Sequence, residues 1–193
     1  SLHDALPILI KQIPYGLTDF GRIQKENYYY VDKTMFIEKI EMQPSYLFLI
    51  RPRRFGKSLT LAMLEAYYDV RYADQFDELF GHLYIGQHPT PIHNQFLIMR
   101  FNFSEVSSNV NEVEESFRLH CCGKLSDFVY RYEHLLGKDI WNVLDEKTQA
   151  DPGAFLSSIN TYATRKGDLK IYLLIDEYDN FTNTILSTYG TDL

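Results

Sequence analysis

Hydrophobic positions along the chain fall into two kinds of run. Short continuous apolar runs stand at 45–50 (SYLFLI), 95–104 (QFLIMRFNFS) and 171–175 (IYLLI). Runs of that length predict strands buried on both faces, the pattern of a parallel sheet. Steps of three and four mark helices instead. The longest series is Val110, Val113, Phe117, Cys121, Leu125, Phe128, Tyr132 and Leu135, which predicts one extended amphipathic helix. Shorter helices are predicted over 20–25, 33–42, 57–70 and 73–80, and from Asp151-Pro152 to Arg165. Asp32 is the expected N-cap of the second, with Pro44 beyond its end. Pro152 suits an early helical position. Strand–loop–helix, strand–helix, helix–strand is the order of an α/β fold with a parallel sheet. No internal repeat or low-complexity run interrupts it.

One junction in this pattern carries chemistry. The run at 45–50 passes through RPRRFGKS, 51–58, into the helix predicted from Lys57. Gly56-Lys57-Ser58 is the second half of the phosphate-loop pattern G-x-x-x-x-G-K-[ST], whose first Gly is replaced here by Arg51. A helix N-terminus concentrates unpaired N–H groups and partial positive charge, and a strand-to-helix turn can wrap it around a phosphate. Gly56 supplies the backbone freedom. Lys57 reaches β- and γ-phosphates, and the Ser58 hydroxyl suits Mg²⁺. Pro52 lacks an N–H, so the cradle is expected from the amides of Arg53, Arg54, Phe55, Gly56, Lys57 and Ser58, with Leu59 following. Far downstream, Asp176-Glu177 ends the third apolar run. A carboxylate there can hold Mg²⁺, and the next acid can orient or deprotonate an attacking water. The bland reading is a chance tripeptide and a solvated strand end. The two halves together favour a nucleoside-triphosphate site, and the doubled acid favours hydrolysis over binding alone.

Composition narrows the alternatives. The 193 residues suffice for one substantial domain. A net charge of −7 does not support a nucleic-acid-binding domain. The only cysteines, Cys121 and Cys122, are adjacent, which points to free thiols in a reducing compartment, the cytoplasm. Neither they nor the six scattered histidines show metal-ligand spacing. No run approaches the ~18 apolar residues of a membrane span. The chain opens with Ser and closes at Asp192-Leu193 without a terminal element, which reads as a fragment. Residues 1–10 are set apart as a lead-in, either foreign sequence or a native disordered or strand-like segment.

RPRRFGKSLTLAML (51–64) and LIDEYDN (174–180), with YVDKTMFIEKI (30–40) and Ile13-Pro14-Tyr15-Gly16 ahead of Asp19-Phe20, resemble the AAA-ATPase-like domain family of bacterial P-loop ATPases. The resemblance runs over residues 11–193, and the Arg51 departure agrees with this family. Phe181 stands where many members carry Pro. The resemblance implies a P-loop NTPase three-layer sandwich with a parallel sheet, truncated here before its central strand, so that 95–104 pairs with 171–175. It implies ATP and Mg²⁺ as ligands. Lys57 and Glu177 would be catalytic, Ser58 and Asp176 the metal ligands. Family members commonly continue into a nuclease-like domain of the PD-(D/E)XK type, whose acidic core cannot be placed in these residues. An oligomer is compatible with the family. Two other classes stay open: a nucleotide-gated interaction switch that does not hydrolyse, and a small-substrate kinase, for which no acceptor pocket is legible. Asp32-Lys33-Thr34 reads either as part of the nucleotide lining or as a cap with a solvated lysine. Tyr28–Tyr30 reads as a base-stacking run or as sheet-edge packing.

Overall fold

Aspartate caps start three of the helices in the computed structural model, which describes residues 11–50, 52, 54–107, 109 and 111–178. The lead-in 1–10, Arg51, Arg53 and Phe181 lie outside the described residues. Asp19 accepts the Arg22 N–H at 2.9 Å and starts α1 (Phe20–Lys25). Asp145 and Asp151 do the same for α8 (Glu146–Ala150) and α9 (Pro152–Gly167), accepting from Thr148 and Ala154 at 2.7 Å each. Asp168, in the left-handed region, closes α9. The remaining helices are α2 (Phe36–Glu41), α3 (Lys57–Tyr68), α4 (Phe76–Phe80), α5 (Tyr84–Gln87), α6 (Val113–Arg131) and α7 (Glu133–Leu136). Short 3₁₀ turns cover Val70–Gln75, Phe103–Glu105 and Lys138–Asn142.

The chain divides into two units. The first holds the described residues up to Tyr67 together with Arg71–Asn94. Its core is aromatic. Phe80 stacks on Phe20 at 5.0 Å and on Phe76 at 5.4 Å, and meets the Tyr67 ring edge-on at 5.5 Å. Ile23, Ile37, Leu79 and Ile85 are buried around these rings. Asp32 does not cap α2. Its carboxylate accepts the Thr34 N–H at 2.8 Å, the Thr34 hydroxyl at 2.7 Å and the Tyr84 N–H at 2.7 Å. Thr34, fully buried, accepts the Ile85 N–H at 3.1 Å. The segment ahead of α2 is thereby tied to the start of α5. Burial alone would raise the Asp32 pKa. The Tyr84 and Thr34 donors outweigh it and hold the carboxyl below its usual value.

The second unit holds Tyr68–Val70 and the described residues from Gln95 onward. Here β1 (Phe96–Asn102) and β2 (Lys170–Asp176) form a two-stranded parallel sheet with Phe96 opposite Lys170 and Asn102 opposite Asp176. The expected pairing of the second and third apolar runs is therefore present, in an α/β fold. Leu97, Met99 and Phe101 pack with Leu125, Phe128, Phe155 and Ile159 of α6 and α9. The buried Tyr132 hydroxyl donates to Asp69 Oδ2 at 2.8 Å and accepts the Ile98 N–H at 2.9 Å. It satisfies two polar groups inside this core. Cys121 is buried and Cys122 half-buried, both as free thiols. Burial, and then the neighbouring thiol, push Cys121 up to about 11.

The strand expected at 45–50 is absent. Residues 45–50 form no strand among the described residues, with Tyr46 89% and Ile50 84% exposed. An apolar run makes a buried strand only where a neighbouring strand takes its N–H and C=O groups. No described strand does so here, and β2 pairs only with β1 among the described residues. No described helix is long and apolar enough to cross a membrane.

Candidate functional site

Two chain reversals precede α3. Arg54 has φ +66° and Gly56 φ +76°, both in the left-handed region. For Gly56 that conformation costs nothing; for a residue with a Cβ it is strained. The Phe55 N–H donates to the Pro52 carbonyl at 3.3 Å, closing a tight turn. The Gly56 carbonyl accepts both the N–H and the hydroxyl of Thr60 at 2.9 Å, which locks the first turn of the helix. Lys57, Ser58 and Leu59 occupy that turn and are half-buried, while Arg54 and Phe55 are exposed. The loop thus leads directly into the N-terminus of a 12-residue helix whose first residues are half-buried. That is the arrangement in which backbone amides attract an anion.

Beside this loop, within the first unit, is a cavity of about 420 Å³ that Phe55, Gly56, Leu59 and Thr60 help to line. Of the Asp32-Lys33-Thr34 run, only Lys33 reaches it, because Asp32 and Thr34 are committed to α5. Tyr29 and Tyr30 line it too.

In the second unit, β2 delivers Asp176 and Glu177 at its C-terminal end. Asp176 is 2% exposed. Its Oδ1 accepts the Glu177 N–H at 3.0 Å, and its Oδ2 lies 4.0 Å from Arg100 Nη2. The parallel register puts Arg100, Asn102, Leu174 and Asp176 on one face of the sheet. Arg100 runs along that face toward the carboxylate, and a buried carboxylate gains from such a cation. Glu177 has φ +54°, uncommon for a residue with a side chain and of the kind that gathers at functional positions. Arg100 was not singled out as a candidate from sequence. The available signal was a charge in the middle of an apolar strand, LIMRF.

Among the described residues no cluster of three or more His, Cys, Asp or Glu gathers.

No solved structure matches the chain. A protein of Azotobacter chroococcum mcd 1 described as "Uncharacterized protein in vnfD 5'region" is 30% identical over 179 residues, covering 88% of this chain and 29% of that protein. The chain therefore spans less than a third of that relative's length. The AAA-ATPase-like family, described as "Predicted AAA-ATPase", matches residues 14–192. That match takes in the turn at Gly56, the helix it opens and the acidic end of β2, and by it the chain belongs to the AAA-ATPase-like family.

Proposed function

We propose that the chain binds ATP with Mg²⁺ through the Gly56-Lys57-Ser58 loop and hydrolyses it, on a P-loop NTPase sandwich. The observation that carries this reading is the left-handed Gly56, φ +76°, immediately ahead of a 12-residue helix, inside the region the family matches. The amides of residues 53–58 hold phosphate oxygens, and Lys57 neutralises their charge. Mg²⁺ would take the Ser58 hydroxyl from the loop and the Asp176 carboxylate from the end of β2, and would supply charge neutralisation to the phosphates. Glu177 takes a proton from the attacking water, and Arg100 orients the Asp176 carboxylate.

Replacing Glu177 by Gln separates turnover from binding. General-base removal lowers turnover on the order of 10²–10⁴-fold, while Mg-ATP affinity stays within about threefold, well under the ~1.4 kcal/mol of a tenfold change. Phosphate release and equilibrium titration read the two quantities. A Gln variant that turns over like the native chain contradicts the assignment of Glu177. A native chain that binds Mg-ATP without turnover replaces the hydrolase by the nucleotide-gated switch.

A further inference from the structure

The 3₁₀ turn that follows β1 is held on α6 by a group with no part in phosphate chemistry. The turn leaves the strand at Asn102, the residue opposite Asp176, and covers Phe103–Glu105. Three sets of contacts fasten it. The Ser107 N–H donates to the Ser116 hydroxyl at 2.9 Å. Glu105 Oε2 lies 3.2 Å from Lys124 Nζ and 3.5 Å from His120 Nδ1. The Phe103 ring packs on Phe117 at 5.3 Å and on the His120 ring at 5.9 Å. Glu105 is exposed, so its pairing with Lys124 adds little by itself. His120 is different. Its side chain is 8% exposed, and its Nε2 is buried without a hydrogen-bond partner among the described residues.

We propose that His120 is a pH latch: its neutral ring holds this turn on α6, and protonation of the ring releases it. Glu105 selects the tautomer. A proton on Nδ1 faces the carboxylate, and Nε2 is left as a lone pair. A second proton turns Nε2 into a donor. A buried donor without an acceptor, on a ring that now carries charge, is unfavourable until it reaches water. The ring reaches water when Phe103 and Glu105 lift away from α6. The charged groups that act on His120 are Lys124 on its own helix and Glu105 on the turn. Burial first, and then Lys124, hold its pKa below the usual value against the pull of Glu105. The closed turn therefore binds the proton more weakly than the open one. Closure is full above the open-state value of about 6.5 and weakens as pH falls from there to the closed-state value. The latch needs no nucleotide, so it holds or fails apart from the reading of the phosphate loop.

The test follows hydrogen exchange at the Val106 and Ser107 amides of the full chain over about pH 5–8, the range in which histidine titrates. Rates are corrected for intrinsic exchange, and the His120 imidazole is titrated by NMR in the same samples. Protection of both amides is expected to fall by up to about tenfold per pH unit below about 6.5, while the amides of β1 keep theirs. His120→Phe keeps a ring against Phe103 and abolishes the pH dependence. Glu105→Gln lowers the His120 pKa and carries the fall to lower pH. Lys124→Met raises that pKa and ends the fall sooner. Glu105 is exposed and Lys124 partly so, so these two variants leave the core intact. A native His120 pKa above about 6.5, protection independent of pH, or an equal fall in His120→Phe overturns the proposal. So do shifts in the same direction in the Glu105 and Lys124 variants, and loss of β1 protection in step with the turn, which is global unfolding.

Discussion

Substituting Gly56 by Ala probes the loop with a single methyl group. Gly56 sits at φ +76°, and no heavy atom outside its immediate neighbours lies within 4 Å of where a Cβ would stand. Crowding is therefore not the issue; the backbone is. A residue with a Cβ in the left-handed region is disfavoured by about 1–2 kcal/mol. The loop can keep its shape and carry that strain, or rotate Gly56 to negative φ and turn the amides at the start of α3 away. The second response lowers the fraction of chains competent to bind by about 5–30-fold, and apparent Kd rises by the same factor. The first appears as lost stability. Calorimetric titration with Mg-ATP and a urea curve on the same sample together recover about 1–2 kcal/mol. Asn tolerates the left-handed region better than Ala, so Gly56→Asn recovers at least half of the loss. Native binding and native stability in the Ala variant, or Asn as impaired as Ala, refute the reasoning.

Three further substitutions test the frame around the site. Asp32→Ala removes the acceptor of three hydrogen bonds, two from Thr34 and one from Tyr84, and costs about 2–3 kcal/mol of unfolding free energy at pH 7. Because the folded Asp32 pKa is lowered, its contribution is full above the unfolded value of about 3.9 and is lost as pH falls through the folded value. The gap between native and variant urea curves therefore narrows on acidification below about pH 4, and a gap independent of pH contradicts the assignment. Tyr132→Phe takes a donor from the buried Asp69 and an acceptor from the Ile98 N–H. It destabilises by about 2–4 kcal/mol, and a loss under about 0.5 kcal/mol would show the two bonds to be dispensable. Ile50→Ser, at a position 84% exposed, changes stability by less than about 0.5 kcal/mol. A loss of about 2–5 kcal/mol, as for a core residue, would show that 45–50 is a buried strand after all.

What the sequence disclosed depended on whether the determining interactions were local. α1 and α9 fall where their capping aspartates and Pro152 place them. The apolar runs at β1 and β2 form the expected parallel pair. The long periodic series ends as a helix at Arg131, and the short α7 follows; Leu136, four residues after the buried Tyr132, is buried while Leu135 is partly exposed. Steps of three and four both satisfy a helical stripe, so the pattern alone does not choose between Leu135 and Leu136. The run at 45–50 looks like a strand by every local measure, yet strand formation depends on a partner the sequence pattern does not supply. Asp32 illustrates the same limit. Its position before a helical pattern invites a capping assignment, but its carboxylate bonds to Tyr84, 52 residues away. The Gly56-Lys57-Ser58 loop was legible because a short motif has a mechanism attached to its spacing. The cavity beside it was not, because its lining comes from segments well apart in the chain, including Tyr29, Lys39, Leu49 and Met63.

Lys57 and the amides around Gly56 form the proposed triphosphate site. Its most direct test is calorimetric titration of Mg-ATP into the native chain and into Lys57→Ala, with matched urea midpoints. Saturable binding by the native chain and a loss of about 100-fold in the variant are expected, the ~3 kcal/mol of a charge-assisted phosphate contact. Equal affinity in the two proteins, or no binding by the native chain, would contradict it.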